Sequence, residues 1–491
     1  MNFSIIRYII GILLKTESIL LLLPCIVSLV YHESYGVYYL AVAAICALLG
    51  FLLNISKPKS NVFYLKEGCV ATALSWVVLS FFGALPFRIS GEIPSLVDAL
   101  FETVSGFTTT GASILNDIEA LSHTALFWRS FTHWIGGMGV LVFILAILPM
   151  TGASDMNLMK AESPGPSVGK LVPKIKQTAR ILYIIYFGMT ILEMVLLICG
   201  RMPVFHSICL SFGTAGTGGF GILNSSVGSY SAYCQWTITI FMILFGVNFN
   251  FYYYLLYRQV KKALTMEEVK HYLCVILAAT VIICINVADR FGSIFTAIRH
   301  SAFQVGSITT TTGYSTVDFD MWPSLSKGVL VLLMFVGACA GSTGGGIKVS
   351  RIMIMIKSMF IELTTYIHPK SVKKLKMDGK SVDSDTIRSV HVYFTTFMII
   401  FTASIFAISF EGHDFETNFT AIAATINNIG PGLNLVGPAR NFSFWSKPSK
   451  FVMIFDMLAG RLELFPMLII FHPTVICGFF SGLLSTKKAE Q

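Results

Sequence analysis

Apolar residues along this chain come in long runs separated by short polar connections, and the runs have two lengths. Ile5 to Tyr31, Val37 to Ile55, Gly68 to Phe87, Ile181 to Gly200 and Ile387 to Phe410 are each about as long as the helix needed to cross roughly 30 Å of hydrocarbon. Pro94 to Phe107, Pro203 to Thr214, Phe291 to Ser307 and Phe415 to Ile426 are helical in character but too short to span, and each leads into a polar loop closed by glycine. A further apolar run follows each loop: Ser122 to Met150, Ala232 to Tyr257, Ser324 to Phe360 and Trp445 to Leu484. With Leu273 to Val287 as the rising run before the third short helix, the order of apolar run, short helix, glycine loop and apolar run occurs four times. The pattern predicts an all-α polytopic membrane protein of ten spans. A transmembrane hairpin (residues 1–62) precedes four pseudo-symmetric repeats (63–155, 156–265, 266–378 and 379–491) around a central pore.

Composition agrees, and charge orients the spans. Only 12% of residues are charged, against about 25% in soluble domains. The net charge of +9 does not form a nucleic-acid surface, because the basic residues fall in alternate loops. They are Lys57, Lys59 and Lys66; then Lys160, Lys170, Lys174, Lys176 and Arg180; then Arg258, Lys261 and Lys262; then Lys370, Lys373, Lys374 and Lys376; and finally Lys487 and Lys488. By the positive-inside rule these loops and both termini face the cytoplasm. The segment from Phe87 to Leu126 carries Glu92, Asp98, Glu102, Asp117 and Glu119 against Arg88, and predicts an acidic outer vestibule that concentrates cations. The ten cysteines are scattered without metal-ligand spacing and read as small buried hydrophobes.

The four loops read Thr108-Thr109-Thr110-Gly111, Ala215-Gly216-Thr217-Gly218, Thr310-Thr311-Thr312-Gly313 and Asn427-Asn428-Ile429-Gly430. Non-helical backbone at membrane depth survives only when buried in protein or lining water, so four such loops at matching places imply one shared cavity. A closing glycine lets each loop turn its carbonyls inward, where rings of oxygens can replace the hydration shell of a monovalent cation such as K⁺. The threonine hydroxyls would add a lower ring of ligands, and the short helices would aim their partially negative C-terminal ends at the ion. With one shared glycine per loop, moderate discrimination of K⁺ from Na⁺ is expected.

The segments SGFTTTGAS (Ser105 to Ser113), GTGGF (Gly216 to Phe220), TTTTGYST (Thr309 to Thr316), NNIGPGL (Asn427 to Leu433), AGSTGGGIK (Ala340 to Lys348) and GRLELFP (Gly460 to Pro466) resemble those of the Trk/Ktr/HKT superfamily of potassium-translocating subunits. They are most similar to its bacterial TrkH type, which has the extra N-terminal hairpin. The resemblance implies potassium uptake by a homodimer in the bacterial inner membrane. It also implies gating by a cytoplasmic ring of nucleotide-binding, TrkA-like RCK subunits. No cofactor is expected on this chain, since GSTGGG follows no strand and lacks the GK[ST] ending of a phosphate loop. Membrane lipid is the other expected partner.

Below the loops, Ser324 to Phe360 is too long for one span, and Gly341, Ser342, Thr343, Gly344, Gly345 and Gly346 should break it, since each glycine costs about 1 kcal/mol in a helix. The resulting loop and Arg461, a charge in the middle of the last run, are expected to form a gate. Arg461 can act as a barrier to cations or pair with Glu463 or Asp456. Glu193, His133, His206 and His300 read as interfacial or packing residues. A secondary transporter coupling K⁺ to Na⁺ or H⁺ is the competing reading, disfavoured because such carriers usually show two-fold repeats. No nucleophile or HExxH-type cluster points to an enzyme.

Overall fold

The protein, represented by a computed structural model, is described at residues 2–58, 64–139, 175–370 and 373–477. Outside them lie Lys59, Lys160, Lys170, Lys174, Lys487, Lys488 and the inner part of the first descending run up to Met150. Six helices are long and apolar enough to cross a bilayer: Phe3–Val30, Gly36–Asn54, Leu65–Ser90, Arg180–Cys199, Glu267–Arg290 and Ser384–Glu411. They are the hairpin and the four rising elements of the repeats, so the architecture is an all-α membrane fold of four repeats behind an N-terminal hairpin. The first helix is divided at Leu21, where Pro24 supplies no N–H to the Leu20 carbonyl four residues earlier and crowds it.

The four short helices are Leu96–Phe107, Val204–Gly216, Ile294–Thr309 and Phe415–Ile426. Three have side-chain caps: Ser95, Ser293 and Asp414 accept from the N–H groups of Asp98, Phe295 and Thr417. Their final turns are buried, so helices that begin near the surface end inside the protein.

The elements that descend from the loops are less regular than the sequence pattern implied. His123–Gly137 is followed by Gly139 at φ +80°. The run Ala232 to Tyr257, expected to be one span, is two helices, Ala232–Phe245 and Phe249–Leu256, meeting at 90°. The side chain of Asn248 accepts from Asn250 N–H and starts the second helix afresh after Gly246. The third descending run breaks as expected, but over a wider stretch than 341–346: Ser324–Met334 ends well before it, and Val349–Ile367 begins only after Lys348. The fourth breaks between Lys447–Arg461 and Phe465–Ile470, with Glu463 and Leu464 both at φ +63°. A two-residue hairpin, Lys376–Met377 with Lys380–Ser381, turns through Asp378 and Gly379, both at positive φ.

The hairpin is fastened to the first repeat by Glu33. Its carboxylate accepts from His123 N–H (2.8 Å), Thr124 N–H (3.0 Å) and the Thr124 hydroxyl (2.6 Å), covering the exposed donors at the start of a descending helix. Partial burial pushes the carboxyl up, but the bonds from Thr124 and His123 outweigh it and hold Glu33 below the usual glutamate range. The stabilisation is therefore present above the unfolded pKa and lost as pH falls through the folded one. Glu33→Ala is expected to cost about 1 kcal/mol near neutral pH. In detergent, thermal melting should show the gap from the wild type closing as the solution is acidified below the ordinary carboxylate range.

Candidate functional site

Each short helix ends in the same way, and that ending defines the site. In the first repeat Thr109 N–H bonds to Gly106 O (3.1 Å) and Thr110 N–H reaches back to Ser105 O (2.8 Å). The pairs are Thr217 to Thr214 and Gly218 to Gly213 in the second repeat, Thr311 to Ile308 and Thr312 to Ser307 in the third, and Asn428 to Thr425 and Ile429 to Ala424 in the fourth. All four are Schellman endings, which require a left-handed residue after the helix. That residue is Thr109, Thr217, Thr311 or Asn428, at φ between +54° and +61°. None is glycine, and each carries a local cost of about 1–2 kcal/mol that the surrounding bonds must offset.

This signature fixes the register and moves the second loop by one residue. The left-handed closing glycines are Gly111, Gly219, Gly313 and Gly430. Gly219, not Gly218, therefore stands where Gly111 stands, and the equivalent stretch is Gly216 to Gly219. Ala215 lies within the second short helix, in its last turn. In sequence the Thr-Gly pair of AGTG aligns with that of TTTG, but in the fold Thr217 takes the place of Thr109. The GTGGF segment held the needed residue; without dihedrals, nothing said which glycine closes the loop.

The loops touch in cyclic order. A Cβ added to Gly111 would overlap the carbonyl oxygen of Gly218; on Gly219 it would overlap that of Thr312; on Gly313, that of Ile429; and on Gly430 it would press on that of Thr110. Each closing glycine thus packs against the carbonyl just before the next repeat's closing glycine, and the fourth returns to the first. Between the two left-handed residues of each loop stands one of ordinary φ (Thr110, Gly218, Thr312 or Ile429). Such alternation turns successive carbonyls towards the same side of the strand, which an ordinary extended strand does not do.

Of the hydroxyls expected to add a lower ring of ligands, those of Thr108, Thr110, Thr310 and Thr312 bond within their own repeats and keep oxygen lone pairs. Thr108 Oγ1 donates to Val104 O (2.6 Å) and meets Thr110 Oγ1 (2.8 Å), while Thr310 Oγ1 donates to Gly306 O (2.7 Å) and meets Thr312 Oγ1 (2.7 Å). Asn428 Nδ2 donates to Thr110 Oγ1 and to Met457 O, each at 2.9 Å, tying the fourth loop to the first and to its own descending helix.

The broken third helix packs directly beneath. Gly345 N–H donates to Thr311 Oγ1 (2.7 Å), and a Cβ on Gly344 or Gly345 would crowd the Thr310 or Asn427 carbonyl. Two basic side chains take three consecutive carbonyls of this loop. Arg461 Nη1 donates to Thr343 O (2.8 Å), and Lys348 Nζ donates to Gly344 O and Gly345 O. Arg461 Nη2 also reaches Gly136 O (2.6 Å) and Gly137 O (2.8 Å) at the end of the first descending helix. Of the pair partners anticipated for Arg461, Glu463 bonds to Arg351 and Asp456 accepts from Ser404 (2.8 Å). Gly341, Ser342 and Gly346 complete the loop: Ser342 Oγ donates to Cys339 O (2.7 Å), and Gly341 and Gly346 take left-handed φ.

Glu268, which the sequence reading passed over, holds both ends of the break. Its Oε1 accepts from Ala340 N–H (2.7 Å) and Ser350 N–H (3.2 Å), and its Oε2 from Asn248 Nδ2 (3.3 Å). It looks like a first-turn helix residue in sequence, and only the returning chain reveals its partners. His206 and His300 bond to Tyr230 and Thr316, and His133 is buried against Phe220. The acidic residues expected at an outer vestibule are partly engaged elsewhere. Glu102 is buried on Arg129 and Asp98 pairs with Lys450 (2.6 Å), while Asp117 and Glu119 bond to Asn224.

The TrkH family of cation transport proteins matches residues 39–475. The chain belongs to this family. The Trk system potassium uptake protein TrkH of Salmonella typhimurium (strain LT2) is 36% identical over 96% of this chain and 99% of its own. TrkG of Escherichia coli K12 is 32% identical over 97% and 98%. The crystal structure of the potassium transporter TrkH from Vibrio parahaemolyticus is 31% identical, covers 97% of this chain and 100% of its own, and superposes with a TM-score of 0.86. This TrkH-family chain is thus a multi-pass membrane protein.

Removing the Glu268 carboxylate leaves two buried backbone donors unpaired, at about 1–3 kcal/mol each. In Glu268→Ala, amide hydrogen exchange should rise across residues 338–350 while the four short helices keep their protection, because the loss is local.

Proposed function

We propose that this TrkH-family chain is the potassium-translocating subunit of an uptake system, passing K⁺ and Rb⁺ like a channel. Its filter is formed by residues 108–111, 216–219, 310–313 and 427–430. The observation that carries the reading is the closed cycle of glycine-on-carbonyl contacts. It brings four carbonyl-bearing loops around one axis, at the ends of four helices whose partially negative termini favour a cation there. The relatives named as potassium uptake proteins support the choice of ion.

The segment Gly341 to Gly346 and Arg461 form the gate in this reading. A guanidinium and the Lys348 amine hold the segment under the filter, in the path an ion leaving it would take. Opening requires the Thr343, Gly344 and Gly345 carbonyls to leave Arg461 and Lys348, an exchange a cytoplasmic partner can drive by moving the helices on either side. A ring of nucleotide-binding, TrkA-like RCK subunits is that partner, and the subunit works as a homodimer. Both termini face the cytoplasm, and the chain divides into the hairpin and four repeats as its sequence suggests.

Two measurements test this. In proteoliposomes of the purified chain, Gly219→Ala and Gly313→Ala should each lower ⁸⁶Rb⁺ uptake at least about a hundredfold, since a few kcal/mol of strain at the filter is a factor of this order. Wild-type uptake by either variant rejects the filter. Arg461→Ala should raise Rb⁺ uptake without any partner subunit, and unchanged uptake both there and after deletion of Gly344 to Gly346 rejects the gate.

A further inference from the structure

An ion pair behind the ring serves neither the loop contacts nor the broken helix. Glu102, on the first short helix, and Arg129, on the helix descending from the first loop, are both buried, with Arg129 Nη2 2.7 Å and Nε 2.8 Å from Glu102 Oε1. A buried pair contributes little net stability over an apolar replacement, so its geometry is the more informative property.

That geometry reaches both of the first two filter strands. The Glu102 carboxylate accepts from the Ser113 hydroxyl (3.0 and 3.1 Å) and from Ile114 N–H (3.0 Å). Arg129 Nη1 donates to Gly221 O (3.2 Å), and its guanidinium lies 4.0 Å from the centre of the Phe220 ring. Ser113 and Gly221 each stand two positions past a closing glycine, Gly111 or Gly219. Those two glycines belong to neighbouring strands, since Gly111 packs on the carbonyl of Gly218. The third and fourth strands have neutral partners at this level. Gln304, six residues before Thr310 as Glu102 is before Thr108, donates to Thr316 Oγ1 and Val317 O at 3.5 Å, and Thr420 Oγ1 accepts from Leu433 N–H at 3.0 Å.

We propose that Glu102 and Arg129 are positioning residues for cation selectivity. Their ion pair sets the separation of the outgoing ends of the first two filter strands, and with it the size of the carbonyl cage, without touching the ion. This half of the ring is clamped by charge, and the other half is held by weaker neutral bonds. The inference rests on the filter reading above.

The test compares ⁸⁶Rb⁺ and ²²Na⁺ uptake by the full chain in proteoliposomes, with thermal melting as a check on the fold. Arg129→Lys keeps the charge but loses the planar fork, and Glu102→Gln keeps the shape but loses the charge. Either should lower the Rb⁺/Na⁺ ratio about tenfold, the factor that loss of one charge-assisted hydrogen bond supplies, with Na⁺ uptake rising. Ser113→Ala keeps both charges of the pair but removes a hydroxyl that bonds Glu102, Arg129 Nη2 (3.4 Å) and Leu115 N–H (3.2 Å), so it should lower the ratio by a smaller factor. Asp98→Asn, which weakens a different ion pair, should leave the ratio unchanged. A wild-type ratio in Arg129→Lys, Glu102→Gln and Ser113→Ala overturns the proposal. A wild-type chain that takes up no Rb⁺ in preference to Na⁺ overturns the filter reading instead.

Discussion

Backbone that leaves the helix inside a membrane has to find its hydrogen bonds within the protein, and everything distinctive here follows from that constraint. Four short helices end inside the protein, and each end would strand carbonyl and amide groups. The Schellman bonds satisfy part of them. The loops also pack on one another, each closing glycine lying against the carbonyl of the next. The left-handed Thr109, Thr217, Thr311 and Asn428 are held by bonds to their own short helices, whereas the surface on which each closing glycine packs is supplied by another repeat.

The same constraint explains where the charges went. Arg461, Lys348, Glu268, Arg129 and Glu102 are all buried, and each bonds to backbone that has left regular structure. The two groups differ in what they hold. Glu102 and Arg129 brace the strands that leave the first two glycine loops, whereas Arg461, Lys348 and Glu268 grip the broken third helix. In the proposed reading, selection and control of the ion fall to separate sets of bonds, joined where Gly345 N–H meets Thr311 Oγ1.

Much was legible in the linear pattern because its cause is local or set by the solvent. Long apolar runs must be helices in hydrocarbon, short ones ahead of glycine cannot span, and the four glycines inside Gly341 to Gly346 oppose a helix wherever they fall. The break is wider than this because Gly337 also takes a left-handed φ and the Cys339 and Ala340 amides turn to Gly246 O and Glu268, partners far away in the chain.

The sequence by itself determined the membrane class, the four-fold repeat, the glycine loops and the broken third helix, since periodicity, length and backbone propensity act over a few residues. Only the tertiary structure decided that Gly219 closes the second loop, that the Thr108 and Thr310 hydroxyls bond within their own repeats, that Ala232 to Tyr257 turns through a right angle, and that Glu102 faces Arg129 and not the vestibule. These outcomes depend on which atoms meet once the chain has folded, from Arg129 on Glu102 27 residues earlier to Gly219 on the Thr312 carbonyl of the next repeat. A contact of that kind is invisible until the chain has closed on itself.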